Sequence, residues 1–261
     1  MTINTPPTTT TLAEAALAKA NPFEQAQRHR AKLRLAIFGP SGSGKTYSAL
    51  KIASGIGGRI AAVDTEERSM ELYSHIARFD VVPLPPPYDP RRYINLIKKA
   101  EENGYDVLIL DSLSHAWAGT GGILDKHNEE ELRQRSGFRA WRAITPLHNE
   151  LVDAMLHSTM HIIATIRSKT DYIQEKDSDN KVQIKKVGLA PIQREGLEYE
   201  FTLCLNLNED HKAIVSKTRI DMYDKKVFVP SEQDGRDMVA WLNSGVEEGA
   251  EPEKRRRISG S

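Results

Sequence analysis

The segment from Leu33 to Leu50, LRLAIFGPSGSGKTYSAL, constrains the fold of this chain more than any other. An apolar run leads into a loop rich in Gly and Ser, and Lys45 and Thr46 follow. The loop matches the pattern G-x-x-x-x-G-K-[ST], in which Gly39 is the first fixed glycine. Its backbone N–H groups must converge on one point, and glycine adopts the required angles without steric cost. We therefore predict a strand, a loop and a helix of an α/β protein.

The same loop predicts a phosphate-binding site. Lys45 would reach the β- and γ-phosphates of a nucleotide, and the hydroxyl of Thr46 would bind Mg²⁺. The helix that follows would present its positive end to the phosphates. The expected ligand is therefore a nucleotide with Mg²⁺. The residues predicted to hold it are Gly39, Pro40, Ser41, Gly42, Ser43, Gly44, Lys45, Thr46 and Tyr47.

Acidic residues end two later apolar runs. The run VLILD ends in Asp111, whose carboxylate would complete the metal site. The run AAVDTEE contains Asp64, Glu66 and Glu67. Ligands of open parallel sheets bind at the carboxyl ends of the strands, so this cluster should lie near the γ-phosphate. Glu66, with Glu67 as the alternative, is predicted to orient the attacking water; a solvated acidic turn is the competing interpretation. The predicted catalytic set is Lys45, Glu66 and Asp111.

The composition restricts the other kinds of site and the cellular locations that the chain could have. Lys+Arg and Asp+Glu both number 36 in 261 residues, so nucleic-acid binding would need a local basic patch. The single cysteine, Cys204, excludes an internal disulfide and a structural zinc site built from cysteines. The start of the chain lacks the pattern of a secretory signal, and no apolar run approaches the ~20 residues of a membrane span. We expect a soluble, cytoplasmic protein with no membrane partner.

Apolar runs alternate with helical patterns along most of the chain. This order is typical of a mostly parallel central sheet with helices on both faces. One such helix is predicted from Ala140 to Ser158. The segment KTDYIQEKDSDNKVQIKKVG predicts two strands around the turn Asp179-Asn180, and YEFTLCLNLNEDHKAIVSKTRI predicts a second hairpin. The expected fold is an α/β P-loop NTPase core with a β-rich carboxy-terminal part.

The two ends differ in composition from the middle. The first residues are rich in Thr and Pro, and the last are charged and lack periodicity, so neither end has much to bury. We predict a partly disordered tail at 1–30, one ATPase domain at 31–245 and a disordered charged tail at 246–261.

The combination of GPSGSGKT, VDTEE and LILDS resembles the RecA-type core of recombinases and ring helicases. The resemblance implies a RecA-like fold that binds ATP with Mg²⁺ and hydrolyses it. In that family a glutamate after the second strand polarises water, a position that Glu66 matches. The resemblance also implies a γ-phosphate sensor at the end of HIIATIRS, where Thr165 and Arg167 are the candidates. In VSKTR, Lys217 and Arg219 match basic residues that reach the nucleotide of a neighbouring subunit.

Three further segments, DSLSHAW, GFRAWRAITPLHNELVDAML and HIIATIRSKTDY, resemble small phage-encoded ATP-binding proteins with a RecA-like core. These are the Sak-type single-strand annealing ATPases of recombination modules. The resemblance covers roughly residues 31 to 230 and implies a DNA-stimulated ATPase in phage recombination or replication. The implied partners are single-stranded DNA, further copies of the chain in a ring or filament, and a phage single-strand binding protein. The implied location is the host cytoplasm.

Single-stranded DNA requires cations for its backbone and favours aromatic faces for its bases. The stretch RQRSGFRAWR offers both, and the hairpin KVQIKK offers cations. Phe138 would stack on a base, whereas Trp141 fits the apolar face of a helix, which favours a core position. The residues predicted to contact DNA are Arg133, Arg135, Arg139, Arg142, Lys181, Lys185 and Lys186.

Two other functions remain open from the sequence. A P-loop kinase would transfer the γ-phosphate to a small molecule and could use RQRSGFRAWR as a lid. A nucleotide-gated adaptor would bind nucleotide without DNA and turn it over slowly or not at all. The acidic VDTEE cluster and the β-rich segment after residue 170 favour the RecA-like ATPase.

Overall fold

The computed structural model describes residues 23, 26–176 and 182–246, with the backbone alone at 170–176 and 182–189. Contacts divide the chain into the unit Ala31–Ser244 and a unit formed by the terminal segments. In the terminal unit His29 pairs in parallel with Val246. The predicted tails and domain limits stay predictions.

The unit Ala31–Ser244 alternates strands and helices in its first two thirds and is rich in strands afterwards. Its strands are β1 Arg34–Gly39, β2 Ile60–Asp64, β3 Asp80–Pro83, β4 Val107–Asp111, β5 His161–Lys176, β6 Val182–Pro191, β7 Leu203–Leu207, β8 Ala213–Thr218 and β9 Val227–Phe228. Its described α-helices are α1 Lys45–Ile56, α2 Pro90–Glu102, α3 Ser114–Ala118, α4 Ile123–Gln134, α5 Gly137–Leu156 and α6 Glu232–Asn243.

The strands form one sheet in the order β3-β2-β4-β5-β1-β7-β8-β9, and β6 pairs with β5 outside this path. The pairs among β1 to β5, and the pair of β1 with β7, are parallel. The β5–β6, β7–β8 and β8–β9 pairs are antiparallel. The parallel segments of six strands therefore have their carboxyl ends at one edge of the sheet, which we call the carboxyl edge.

Helices cover both faces of the sheet, which explains why β1, β2 and β4 are buried along their whole length. Leu35 and Ile37 of β1 face a core that includes α1 and α6. Ala36 and Phe38 alternate with them and face a second core that includes α2 and α5. Alternate residues of one apolar run thus serve two cores, because successive strand side chains point to opposite faces.

The strands of both predicted hairpins pair in antiparallel fashion, and the predicted turn Asp179-Asn180 lies outside the described residues. β5 is a single strand that leaves the parallel sheet after Arg167 and pairs with β6 from Ser168 to Lys176. β7 and β8 form the second hairpin. The helix predicted to begin at Ala140 begins three residues earlier, at Gly137, because the hydroxyl of Ser136 accepts a hydrogen bond from the Arg139 N–H and caps α5.

Helix α6 was not predicted from the sequence. Its amino end carries a capping box: the hydroxyl of Ser231 accepts from the N–H of Asp234, whose carboxylate accepts from the N–H of Ser231. The pattern S-x-x-D was visible in the sequence as a helix start. Met238 and Leu242 of α6 pack in the same core as α1.

Acidification from pH 7 to 4 is expected to destabilise the fold by about 3 kcal/mol for each of two buried histidines. Burial, the main cause, lowers the pKa of His148 and of His161 to about 4. Nδ1 of His161 accepts the N–H of Leu33 at 3.0 Å, which requires that nitrogen to be unprotonated. An unfolded histidine titrates near 6.5, so between pH 6.5 and 4 the unfolded chain binds more protons and stability falls as the pH falls.

Urea unfolding at several pH values measures this effect. His161→Gln is expected to reduce the slope of stability against pH in that window. His75→Gln, at an exposed position, should leave the slope unchanged. A wild-type stability that is flat from pH 7 to 4 contradicts the prediction.

Candidate active site

The phosphate loop connects β1 to α1 at the carboxyl edge. Gly42 and Gly44 have φ values of 78° and 84°, in the left-handed region that favours glycine. The α-helix begins at Lys45, directly after Gly44. The side chain of Ser43 is buried, and its hydroxyl donates to the carbonyl of Pro40 at 2.9 Å. The loop therefore has the backbone form that places N–H groups around a phosphate.

Lys45 lies over this loop. Its Nζ donates to the carbonyl of Pro40 at 2.7 Å. Burial, the main cause, lowers the pKa of Lys45, and the carboxylates of Asp111 and Glu66 oppose the change. An ammonium that is bonded to a backbone carbonyl, with two carboxylates acting on its charge, is well placed to exchange that carbonyl for phosphate oxygens.

Thr46 and Asp111, the residues predicted to hold the metal, are in contact with each other. The hydroxyl of Thr46 donates to Oδ2 of Asp111 at 2.6 Å, across 65 residues of sequence. The hydroxyl of Thr165 donates to the other oxygen of Asp111. Burial is the main cause that raises the pKa of the Asp111 carboxyl; the two threonine hydroxyls oppose this rise and nearby carboxylates add to it. A hydroxyl and a carboxylate are oxygen donors of the type that Mg²⁺ prefers, so these residues fit the ion.

The acidic residues at and just after the end of β2 differ in their contacts. The buried carboxylate of Asp64 accepts the N–H of Glu66 at 2.6 Å and that of Met70 at 2.9 Å. It therefore fixes the turn that aims Glu66 at the phosphate loop, a role the sequence did not suggest. Glu67 has a φ of 52° and is exposed, and only Glu66 of the two glutamates lines the cavity described below.

Glu66 is paired with Arg167, at the point where β5 leaves the parallel sheet. Nε and Nη2 of Arg167 donate to Oε1 of Glu66 at 2.9 and 2.8 Å. Both hydrogen bonds use Oε1, so Oε2 is not part of the pair. The pair brings together the predicted water-orienting residue and one predicted sensor, which lie 101 residues apart in the sequence.

A second network supports the same turn. The hydroxyl of Thr65 accepts the N–H of Ser112 at 2.8 Å and lies 2.6 Å from Nδ1 of His115. The ring of His115 stacks on Tyr88, with ring centres 4.6 Å apart. Burial, the main cause, and the charge of Arg167 lower the pKa of His115. This network joins the ends of β2 and β4, so it sets the separation of Glu66 from Asp111.

These side chains line one cavity of about 770 Å³. Its volume lies in the range of small-molecule sites, ~300–1,000 Å³. Both charged and less polar side chains line the cavity. The charged ones include Lys45, Glu66, Asp111 and Arg167, and the less polar ones include Tyr47, Leu72, Ile192, Val229 and Pro230. The cavity therefore suits a ligand that combines charged and less polar groups.

Residues 31–238 match the family model AAA_24, which describes an AAA domain. The chain belongs to this AAA domain family. The match covers more than three quarters of the 261 residues and includes every element that lines the cavity. The AAA domain is a P-loop ATPase domain with a RecA-like fold, which confirms the fold class predicted from the sequence.

The solved structures similar to the AAA domain include those of a recombinase and of a secretion-system ATPase. The crystal structure of the RadB recombinase is 17% identical, covers 78% of this chain and 90% of that chain, and has a TM-score of 0.39. A prototypical ATPase from the type III secretion system of pathogenic bacteria is 14% identical, covers 68% of this chain and 51% of that chain, and has a TM-score of 0.37. No curated protein sequence matches the chain.

The arginines predicted to contact DNA lie on α4, on α5 and at the corner between them. All four are exposed: Arg133, Arg135, Arg139 and Arg142. Phe138 is 82% exposed beside them, whereas Trp141 stacks on His127 and on Trp117. Arg133 also pairs with Glu130 at 2.5 Å. Lys181 lies outside the described residues, as do the side chains of Lys185 and Lys186 in β6.

Lys217 and Arg219 lie away from the phosphate loop of their own AAA domain. Both donate to the carbonyl of Tyr199, at 2.8 and 3.1 Å, and Lys217 also donates to the carbonyl of Phe201. Neither lines the cavity. Their predicted role toward a neighbouring subunit stays a prediction.

None of the helices in the described part of the AAA domain is long and apolar enough to cross a membrane.

Proposed function

We propose that this protein is a Mg²⁺-dependent ATPase that acts on single-stranded DNA in phage recombination or replication. The observation that supports hydrolysis best is the convergence of Lys45, Asp111 and Glu66 on one cavity. Binding alone would need the phosphate loop and a metal site, whereas Glu66 adds a base on a neighbouring strand end. Family membership supports the nucleotide reaction.

In the proposed reaction, Glu66 orients a water molecule and accepts its proton as the water oxygen bonds to the γ-phosphorus. The bond from that phosphorus to the bridging oxygen breaks, and ADP and phosphate leave. Mg²⁺, held by Thr46 and Asp111, would neutralise developing charge on the phosphate oxygens. Lys45 stabilises the same oxygens. Arg167 exchanges Glu66 for the γ-phosphate, which frees the carboxylate for water.

The corner of α4 and α5 is the proposed DNA surface. Helix α5 ends shortly before β5 begins at the opposite edge, so its amino end points toward the carboxyl edge. There Phe138 offers an exposed ring, and Arg135 and Arg139 offer exposed cations. Cations beside an aromatic ring suit a flexible strand with unpaired bases.

Head-to-tail assembly is part of the proposal. Lys217 and Arg219 do not contact their own phosphate loop, and in a ring or filament they would face the nucleotide of the next subunit. Size-exclusion chromatography with an ATP analogue tests this assembly. A protein that stays monomeric at all concentrations would rule the assembly out.

Single-stranded DNA is expected to stimulate ATP turnover several-fold at low salt and less at moderate salt, because phosphate contacts weaken as salt rises. The double change Phe138→Ala and Arg139→Ala should remove most of the stimulation. Arg59→Ala, at an exposed position on the opposite edge of the sheet, should keep it. If ATP turnover does not change with DNA but rises when a small-molecule acceptor is added, the result would instead favour a kinase. Turnover that is undetectable while ATP binds would favour an adaptor.

A further inference from the structure

The turn between β7 and β8 lies beside the phosphate loop. β7 runs parallel to β1 and pairs Leu35 with Leu203 through Phe38 with Asn206. Both strands therefore end at the carboxyl edge. Three hydrogen bonds hold the turn: the N–H of Asn208 to the carbonyl of Lys212 at 3.0 Å, the N–H of His211 to the carbonyl of Asn208 at 3.1 Å, and the N–H of Lys212 to the side chain of Asn208 at 2.8 Å.

His211 is the residue of this turn that meets the loop. A Cβ atom added to Gly44 would lie 3.1 Å from its Nδ1. His211 also has a φ of 61°, a conformation that costs most side chains energy. The ring is exposed and lines the cavity, so it is open to a ligand there. Nothing in the sequence singled out this histidine.

Sheet order tells which part of a nucleotide His211 would meet. The groups for the metal and the γ-phosphate, Asp111 on β4 and Arg167 on β5, lie on one side of β1. β7, β8 and β9 lie on the other side. A triphosphate that crosses the loop with its γ end toward β5 must therefore carry its nucleoside toward β7.

The β7 side is suited to a nucleoside. Tyr47, 40% exposed, follows the loop threonine, and Val229 and Pro230 follow β9. These groups offer apolar surface to a flat base, and the imidazole can donate or accept a hydrogen bond. We propose that His211 contacts the ribose or base of the bound nucleotide and gives the site its preference for a nucleoside triphosphate over bare triphosphate. This inference rests on the proposed nucleotide site.

Calorimetric titration with Mg²⁺ and either ATP or inorganic tripolyphosphate tests this proposal. His211→Gly removes the ring and accepts a positive φ without strain, so the turn should persist. This variant is expected to lower the affinity for ATP about 10-fold, the loss expected when one hydrogen bond and its neighbouring contacts are removed. Its affinity for tripolyphosphate should change less than about 2-fold. Asparagine also tolerates this φ, so His211→Asn should lose less affinity for ATP than His211→Gly does. Glu209→Ala, exposed on the same turn, is the matched control.

If His211→Gly lowers the affinities for ATP and tripolyphosphate equally, the proposal is overturned, because His211 would then act through the shape of the loop. Unchanged ATP affinity in His211→Gly would overturn it as well. A wild-type protein that binds neither ligand would overturn the nucleotide site itself. A wild-type protein that binds both, with no selective effect of His211→Gly, removes only the inference.

Discussion

Glu66→Gln is expected to lower ATP turnover at least ~100-fold while ATP affinity stays within about threefold. Glutamine keeps the size of the side chain but cannot take a proton from water. Lys45, Thr46 and Asp111, which hold the phosphates and the metal in our proposal, are untouched. Phosphate release measures turnover, and calorimetry with an ATP analogue measures affinity.

Glu67→Gln is the matched control for this prediction. Glu67 is the next residue, has the same chemistry, is exposed and does not line the cavity. Its replacement should leave turnover near the wild-type value. If Glu67→Gln abolishes turnover and Glu66→Gln does not, the two residues exchange roles. If neither change slows the reaction, a carboxylate from this turn does not act on the water.

Gly235→Ala is expected to destabilise the protein by about 3 kcal/mol, although alanine in a helix interior usually stabilises by about 1 kcal/mol. Helices α1 and α6 touch through glycines. A Cβ on Gly235 would lie 2.2 Å from the carbonyl oxygen of Ile52, and a Cβ on Gly55 would lie 1.9 Å from that of Glu232. Backbone atoms cannot rotate away, so the helices must separate and lose packing around Met238.

Urea unfolding of Gly235→Ala and Gly55→Ala checks this result against Gly137→Ala. A Cβ at Gly137, the first residue of α5, would meet only the flexible side chain of Glu131. That change should therefore be neutral or stabilising. If the Gly235→Ala protein is as stable as the wild type, α6 can shift without lowering the free energy of unfolding, which contradicts the prediction. The sign of the effect, rather than its size, decides the question.

Local chemistry made much of the site predictable. The glycine spacing before Lys45 specifies the loop because backbone angles at Gly42 and Gly44 are local properties. Asp111 and Glu66 could be proposed because parallel strands place their carboxyl ends at one edge, and the order of strands and helices was visible in the sequence. Their catalytic roles stay predictions that the experiments above address.

Pairings across long separations could not be predicted in the same way. The Glu66–Arg167 pair depends on β5 lying between β1 and β4, and strand order is not encoded in any single segment. The position of His211 likewise depends on β7 being the other neighbour of β1. The structural role of Asp64 could not be predicted either, because its bonds to backbone N–H groups form only when the turn has folded.

The sequence by itself determined a phosphate loop between a buried strand and a helix, since those few residues carry their own backbone geometry. Only the tertiary structure decided which side chains surround it. Sheet order puts the acids and Arg167 on one side of the loop and His211 on the other. That order results from burying two faces of one sheet at once, a property of the whole chain.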